Sequence, residues 1–114
     1  MAQAGDIALF PFPLTTLTVG KLRPALLIKA LPQSYDDWLV CMISAQLQQH
    51  ITGLDDIVDI AAADFAQTGL AKTSVIRVSR LAVVSQSIFL GKIGSVSPQR
   101  LSHITTSLAQ WLQQ

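Results

Sequence analysis

The chain has 114 residues, half of them hydrophobic and only 13% charged, with a formal net charge of +1. This composition excludes a disordered chain and predicts a single well-cored domain over residues 1–114. No apolar run approaches the roughly 18 residues that span a membrane, and no basic segment precedes an apolar core at the N-terminus, so we expect a cytoplasmic protein.

Strand-like segments account for most of the chain. They are predicted over residues 6–12, 23–30, 38–44, 57–60 and 74–85. Pro11 and Pro13 place the end of the first strand at a sheet edge or exit, because proline cannot donate a ladder hydrogen bond. The nearly continuous apolar run of the third strand indicates burial on both faces, and its Cys41, the one cysteine of the chain, is expected to be an inert buried thiol.

The C-terminal segment carries the signals of a helix. Ser97 is a good N-cap, Pro98 suits the first helical position, and an apolar stripe follows at helical spacing. The stripe consists of Leu101, Ile104, Leu108, Trp111 and Leu112. Upstream, residues 61–67 have the length of one or two helical turns, which Gly69 would close as a C-cap. The sequence thus predicts a compact curled sheet with a C-terminal helix.

The charges are sorted along the chain. Residues 1–29 contain three cations and one aspartate, residues 30–71 contain six aspartates and no Lys or Arg, and residues 72–114 contain five cations and no acid. If the fold brings the two ends together, they form a basic surface that suits a polyanion. Chance sorting in a small sample of charges is the alternative explanation.

Four short segments carry a family resemblance. Residues 5–12 read Gly-Asp-Ile-Ala-Leu-Phe-Pro-Phe, and residues 21–28 read Lys-Leu-Arg-Pro-Ala-Leu-Leu-Ile. Residues 43–47 read Ile-Ser-Ala-Gln-Leu, and residues 69–77 begin with Gly-Leu and end with Ser-Val-Ile-Arg. In order and spacing, these segments resemble the PemK/MazF family of toxins from toxin–antitoxin systems over most of the chain.

The resemblance implies a mainly β fold: the SH3-like, partly open barrel of PemK, MazF and CcdB toxins, with about five to seven strands and a C-terminal α-helix. It implies a homodimer, and the high apolar content agrees. The implied activity is that of an endoribonuclease that cuts single-stranded RNA without a metal or other cofactor. In that reaction the 2′-hydroxyl attacks the phosphate and leaves a 2′,3′-cyclic phosphate and a 5′-hydroxyl end. The implied partner is a cognate antitoxin whose tail covers the same groove.

Arg23 and Ser44 are the catalytic candidates. Arg23 occupies the arginine of the family's basic-Arg-Pro motif, where a fixed guanidinium neutralises charge that develops on a scissile phosphate. Its structural alternative is an arginine that pairs with Asp6 or covers the edge of the core with its stem. Ser44 stands where the family has Thr or Ser, and it is expected to hydrogen-bond a phosphoryl oxygen. Its structural alternative is a strand-end cap of a local backbone group.

Several polar residues are candidates for RNA contact. Gln46 and Gln48 alternate with Ser44 and are expected to share its side of the strand, where amides read bases or sugar hydroxyls. A solvated polar strand edge is the alternative for this pair. Lys21 and Thr16 belong to the loop that would flank the RNA path.

Two arginines and two histidines complete the set. Arg77 and Arg80 lie three apart on the last predicted strand, so they face opposite sides of a regular strand and only one joins Arg23 unless a bulge intervenes. Arg77 is the candidate for RNA binding. His50 and His103 lack any ligand-like spacing, so we expect no metal site. His50 is an acid–base candidate by its position, but a solvent-exposed loop histidine is favoured.

One departure from the family pattern and two other functions stay open. Residues 13–22 contain no acid, although some family members use one there in catalysis, and Asp6 is a weak substitute. A non-enzymatic toxin of the CcdB kind would bind a protein target such as gyrase through the C-terminal helix around Trp111, for which core or dimer packing is favoured. A catalytically degenerate member would act only as a binding module. Activity that depends on Arg23 would exclude both.

Overall fold

An antiparallel sheet that curls on itself makes up most of the structure. The computed structural model describes residues 2–12, 21–33 and 36–114. The elements are β1 (Asp6–Phe12), β2 (Lys21–Ala30), β3 (Asp37–Ser44), β4 (Asp56–Val58), α1 (Phe65–Thr68), β5 (Ser74–Ser85), β6 (Gly91–Ser95) and α2 (Pro98–Leu112). Hydrogen-bonded neighbours follow the order β4-β5-β3-β2-β1-β6, so β4 and β6 form the open edges of a half-barrel. The predicted fold, a partly open β barrel with a C-terminal helix, is confirmed.

The largest departures from the predicted strands are at β4 and β6, whereas β2 and β3 differ only in beginning earlier, at Lys21 and Asp37. β4 ends at Val58, because Asp59 begins a turn. The Asp59 carboxylate accepts the Ala61 N–H at 2.8 Å, and its carbonyl accepts the Ala62 N–H at 2.9 Å. β6 has no counterpart among the predicted strands, because its short, glycine-containing sequence lacks the apolar alternation of a half-buried strand. It pairs with β1 at the edge of the sheet.

Hydrophobic side chains pack on both faces of the sheet. The cluster on the face beneath α2 includes Ile7, Leu26, Ile28, Cys41, Ile43, Ile76, Val78, Ile104 and Leu108. The cluster on the opposite face includes Ala8, Phe10, Ala25, Leu27, Trp38, Val40 and Val84. Cys41 is fully buried as predicted, and burial raises the pKa of its thiol. Arg23, two residues before Ala25 in β2, lies on the second face beyond the edge of that cluster.

α2 begins as predicted, but its apolar stripe is only partly covered. Ser97 Oγ accepts a backbone N–H from the first turn at 3.1 Å, and Pro98 opens the helix. Ile104 and Leu108 are buried, whereas Trp111 is 49% exposed, so Trp111 is not part of the core. Among the described residues, no helix combines the length and the hydropathy needed to cross a membrane.

Two glycines let α1 pack backbone to backbone against β6. α1 covers Phe65–Thr68, later than the predicted 61–67, and is followed by Gly69, the predicted C-cap, with a φ of 74°. A Cβ at Gly69 would collide with the carbonyl of Ile93, and one at Gly94 would collide with the carbonyl of Gln67. This contact brings Phe65 and Ile93 against the first cluster, on the face of the sheet opposite Arg23.

Candidate functional site

Two strand ends meet at one groove on the second face of the sheet. β2 and β3 pair Ala25 with Met42, and the same register carried two residues further sets Arg23 beside Ser44. Both side chains line a cavity of about 280 Å³, here called the Arg23 groove. Its lining residues are Arg23, Met42, Ile43, Ser44, Gln46, Gln49, Arg77 and Arg80. Among the described residues, three guanidinium groups and no carboxylate line this groove.

Arg23 is available to an anionic ligand. It is exposed, and it makes no ion pair within the described parts of the chain, which include every aspartate of a sequence that lacks glutamate. Asp6 is buried elsewhere: its Oδ1 lies 3.1 Å from Lys92 Nζ, and its Oδ2 accepts the Gln3 N–H at 2.9 Å. The alternative in which Arg23 pairs with Asp6 is therefore wrong. Asp6 is likewise engaged in a structural role and does not replace the missing loop acid.

Ser44 makes the structural cap that was the alternative to a catalytic role, and its hydroxyl hydrogen is not used in that contact. Its Oγ accepts the backbone N–H of Gln46 at 3.0 Å, which is the structural cap considered above. A hydroxyl has two acceptor lone pairs and one donor hydrogen. The backbone contact uses one lone pair and leaves the hydrogen to be donated into the groove. The local cap therefore fixes the oxygen without removing its ability to bind a phosphoryl group.

The strand does not continue past Ser44, so the predicted alternation of Gln46 and Gln48 is wrong. A 3-10 turn spans Leu47–Gln49, and the Gln49 N–H donates to the Gln46 carbonyl at 3.0 Å. The Ser44 hydroxyl takes the Gln46 N–H that a continuing strand would need for its ladder. Gln46 still lines the groove, whereas Gln48 donates from its amide to Gln46 Oε1 at 2.7 Å and is not a lining residue.

A bulge in β5 brings two arginines to the same groove. Cys41 and Met42 are consecutive in β3, but their partners on β5 are Leu81 and Arg77. The residues of β5 between these partners are unpaired with β3, which breaks the alternation of a regular strand. Arg77 and Arg80 therefore both line the groove, as the sequence allowed only for a bulged strand.

Two residues that the sequence did not single out contact Arg77: Gln49, which lines the groove, and Asp55, which does not. Gln49 Oε1 accepts a hydrogen bond from Arg77 Nη1 at 3.2 Å. Behind them, the side chain of Asp55 is fully buried, and its Oδ2 lies 4.0 Å from Arg77 Nε. Neither residue carries a local sequence signal, because the turn that aims Gln49 and the strand pairing that buries Asp55 depend on long-range contacts.

Lys21 and His50 do not line the groove. Lys21 is the exposed first residue of β2, paired with Phe12, and is not a lining residue. Thr16 lies outside the described residues. His50 is half-buried, and its Nε2 lies 3.0 Å from the Asp55 carbonyl oxygen, so the ring is engaged with the backbone and is not the solvent-exposed histidine that we favoured.

A second groove shares Arg23 and Ser44 with the first. It has a volume of about 220 Å³, and its lining residues are Leu22, Arg23, Pro24, Ile43, Ser44, Ala45, Leu70, Ala71, Lys72 and Ser74. Arg23 and Ser44 therefore stand between a cationic groove and a more apolar one with Lys72 at its rim. The cations of both chain ends meet here, as the charge sorting suggested.

A further cavity, of about 610 Å³, lies elsewhere and is lined by paired charges. Arg100 donates to Asp64 through Nε at 2.8 Å and Nη2 at 2.9 Å, and through Nη1 to Asp56 at 2.6 Å. These hydrogen bonds lower the pKa of Asp64 to about 2 and raise that of Arg100. His103 is exposed, 3.8 Å from Asp56. Because its charges are already compensated, this cavity fits a structural role.

A metal site finds no support in the side chains that are described. Within these residues, no group of three or more His, Cys, Asp or Glu is placed to hold a metal ion. Asp56 and Asp64 are paired with Arg100, and Asp55 accepts the backbone N–H groups of Ile51 and Ser79.

The fold is a curled half-barrel, and three guanidinium groups line one groove at its strand ends. The family model for the PemK-like, MazF-like toxin of type II toxin–antitoxin systems matches residues 3–112. The chain therefore belongs to this toxin family, and the resemblance found in the sequence is confirmed. No curated protein sequence matches the chain.

Solved structures show the same fold at low sequence identity. An endoribonuclease in complex with its cognate antitoxin, from a mycobacterial species, aligns with a TM-score of 0.72 and 14% identity over 99% of this chain and 96% of its own. A second mycobacterial endoribonuclease aligns with a TM-score of 0.68 and 14% identity over 98% of this chain and 91% of its own. The Mycobacterium tuberculosis toxin MazF-mt6 aligns with a TM-score of 0.68 and 15% identity over 95% of this chain and 96% of its own. These similarities extend over nearly the whole barrel.

Proposed function

We propose that this toxin is an endoribonuclease that cuts single-stranded messenger RNA in the cytoplasm without a metal ion. The observation that carries the proposal is the meeting of Arg23 and Ser44 in a groove whose described lining contains three guanidinium groups and no carboxylate. A polyanion is the ligand that such a groove favours. The names of two structural relatives, both endoribonucleases, support the same activity.

Arg23 acts on the scissile phosphate. Its guanidinium is always charged and presents a planar set of donors that matches phosphoryl oxygens. Attack by the 2′-oxygen forms a new P–O bond and places extra negative charge on the equatorial oxygens. Arg23 stabilises that charge and gives a proton to the leaving 5′-oxygen as its bond to phosphorus breaks, and the guanidine then regains a proton from solvent. The products are a 2′,3′-cyclic phosphate and a 5′-hydroxyl end.

Ser44 orients the phosphate beside Arg23. Its oxygen is held by the Gln46 N–H, so its hydrogen donates in a fixed direction. A donor that is fixed before the reaction stabilises the transition state without having to reorganise. Such a contact therefore accelerates the chemical step. Gln46, Gln48, Arg77, Lys21 and Thr16 contribute to RNA binding. The glutamines act near the scissile phosphate, Lys21 at the start of β2, and Thr16 from the segment between β1 and β2.

The proton of the 2′-hydroxyl passes to solvent. Residues 13–22 contain no acid, and Asp6 is engaged with Lys92 and the Gln3 backbone. The neighbouring guanidinium groups favour the 2′-oxyanion electrostatically, which lowers the barrier to its formation by water or hydroxide. We therefore expect the cleavage rate to rise with pH through neutrality. No carboxylate or histidine acts as a base whose complete deprotonation would make the rate level off at higher pH.

The proposed partners are a second copy of the chain and a cognate antitoxin. One structural relative is bound to its cognate antitoxin. We propose that an antitoxin segment with acidic side chains lies over the Arg23 groove and competes with RNA for the same cations. The half-exposed Trp111 and the exposed Leu112 are apolar surface that a homodimer would cover.

The test is incubation of the purified protein with a long single-stranded RNA in EDTA, followed by mapping of the product ends over a range of pH. We expect cuts at a recurring short site that leave 5′-hydroxyl ends, with rates that rise with pH. Cleavage that stops in EDTA and returns with a divalent cation would contradict the metal-free mechanism. A folded protein that leaves the RNA intact under all conditions would contradict the proposed nuclease activity and favour a toxin that binds a protein target.

A further inference from the structure

We infer that Asp55 is a positioning residue for RNA binding: its buried carboxylate holds Arg77 in the orientation that receives an RNA phosphate next to the scissile one. The inference rests on the proposed function, because the phosphate belongs to the RNA substrate. Asp55 itself does not line the Arg23 groove and acts through Arg77.

The Asp55 carboxylate is fixed from three directions. It accepts the Ile51 N–H at 3.1 Å, the Ser79 N–H at 2.9 Å and the Ser79 hydroxyl at 3.2 Å, and its side chain is fully buried. Ser79 is one of the bulged residues of β5, between the two arginines of the groove. A buried carboxylate persists only when such partners compensate its desolvation. Asp55 therefore ties the bulge to the loop that precedes β4.

Arg77 is held at two points of its guanidinium group. Nη1 donates to Gln49 Oε1 at 3.2 Å, and Nε lies 4.0 Å from Asp55 Oδ2. Nε is buried and has no hydrogen-bond partner among the described residues, so the carboxylate acts on it as a charge and not as an acceptor. Nη2 makes no hydrogen bond within the described residues, so this nitrogen of the guanidinium group is left to bind a ligand.

The energetic reason for a positioning role is the burial of Arg77. Its side chain is only 15% exposed. A cation taken this far out of water needs an opposite charge nearby, and Asp55 supplies it. With that charge removed, the guanidinium gains by turning out to solvent and leaves the groove. Holding it in place before RNA arrives removes the cost of ordering a long side chain during binding.

Simple electrostatics makes the opposite prediction. Asp55 is a negative charge close to a groove for a polyanion, so its removal would strengthen RNA binding if charge alone mattered. The positioning role predicts weaker binding after the same change. The sign of one measured effect therefore separates the two explanations.

The experiment measures binding of a single-stranded RNA that carries 2′-O-methyl groups at every position and cannot be cut. Four variants are compared with the natural chain: Asp55→Asn, Ser79→Ala, Arg77→Met, and Asp55→Asn combined with Arg77→Met. Ser79→Ala is the matched control, because it removes a neutral hydrogen bond to the same carboxylate and keeps the charge. Thermal unfolding reports which variants are folded.

We expect Asp55→Asn to raise the Kd about tenfold, a loss of the size of one contact to a charged group. In the Arg77→Met background the same change should alter the Kd less than about twofold, because independent effects add and effects through one residue do not. Ser79→Ala should stay within about twofold of the natural chain. Unchanged or tighter binding by Asp55→Asn, or an equal loss in both backgrounds, overturns the inference.

A measurement on the natural chain covers the case in which Asp55→Asn does not fold. The Arg77 Nε–H resonance, assigned by its loss in Arg77→Lys, should exchange with water more slowly than that of the exposed Arg80. Equal exchange of the two groups would overturn the positioning role. RNA cleavage by the natural chain with no effect of Asp55 rejects this inference alone, whereas RNA binding without cleavage rejects the nuclease and leaves Asp55 testable by its Kd.

Discussion

Arg77 and Arg80 line one groove although they lie three residues apart on β5, because the residues between them have no partner on β3. On a regular strand the two side chains would point to opposite faces. The bulge adds both guanidinium groups to that of Arg23 from β2. A chain with a formal net charge of only +1 thereby acquires a strongly cationic groove.

Arg77 should contribute measurably to the salt dependence of RNA binding. Each phosphate neutralised on a single strand contributes a slope of about 0.7 to log Kd against log salt concentration. We therefore expect Arg77→Met to reduce the slope by about 0.7. Lys29→Met is the control, because Lys29 is exposed at the far end of β2. Equal slopes for the natural chain and Arg77→Met would show that this arginine contacts no phosphate.

The hydroxyl of Ser44 should matter for rate more than for stability. Ser44→Ala removes one donor to the transition state, and we expect a fall in kcat of about 100-fold. It also removes the hydrogen bond to the Gln46 N–H, which should cost about 1 kcal/mol of unfolding free energy. Ser44→Thr keeps the hydroxyl and should keep most of the rate. Loss of activity in Ser44→Thr equal to that in Ser44→Ala would contradict a role for the hydroxyl.

Much of this architecture was predictable from local sequence. The strands that surround Arg23 and Ser44, and the capped start of α2 at Ser97, follow from apolar patterning and cap residues, which act over a few positions. The placement of Arg23 came from its motif, since nothing local distinguishes a catalytic arginine from a surface one. Its lack of an acidic partner became evident only when the fold placed Asp6 beside Lys92.

The rest depends on interactions between distant segments. The β5 bulge is a mismatch of register between two strands, and the turn after Ser44 replaces a strand because one hydroxyl captures the Gln46 N–H. β6 pairs with β1, and Gly94 lets its backbone approach α1, a contact that no periodicity reveals. In the sequence, Asp55 is not distinguished from the other five aspartates of residues 30–71. Only the fold shows that its carboxylate lies close to the Arg77 guanidinium group.

Gly69 should be far less tolerant of a side chain than Gly53. Both have positive φ values, 74° and 87°, so alanine is strained at each by about 1–2 kcal/mol. At Gly69 the added Cβ also meets the Ile93 carbonyl, whereas Gly53 has open space around it. We expect Gly69→Ala to lower the free energy of unfolding by about 3 kcal/mol or more, since overpacking adds to the strain. Equal losses in urea titrations of the two variants would contradict the packing of α1 on β6.

Asp64 should make stability depend on pH in the acid range. The hydrogen bonds from Arg100 lower its pKa from 3.8 to about 2. A carboxyl whose pKa is lower in the folded state stabilises the fold above its unfolded pKa and loses that contribution as pH falls toward the folded value. The lowered pKa corresponds to a contribution of about 2 kcal/mol to the free energy of unfolding, and Asp64→Asn lacks this contribution at every pH. Between pH 6 and pH 3 we expect the natural chain to lose part of it.

Urea titration at both pH values measures this difference. Asp36→Asn is the control, because the side chain of Asp36 is exposed and should change stability little at either pH. A stability gap between the natural chain and Asp64→Asn that stays the same at pH 6 and pH 3 would rule out the ionised Asp64–Arg100 pair as its source.

The most direct test of the account compares initial cleavage rates of Arg23→Ala, Arg23→Lys and Lys29→Ala on one RNA. Lys29 is a cation of the same strand outside the groove, so its loss controls for general charge. We predict a fall of about 1000-fold or more for Arg23→Ala, a partial loss for Arg23→Lys, which keeps the charge without the planar fork, and a rate near that of the natural chain for Lys29→Ala. Cleavage by folded Arg23→Ala at the rate of Lys29→Ala would contradict the assignment of Arg23 as the catalytic centre.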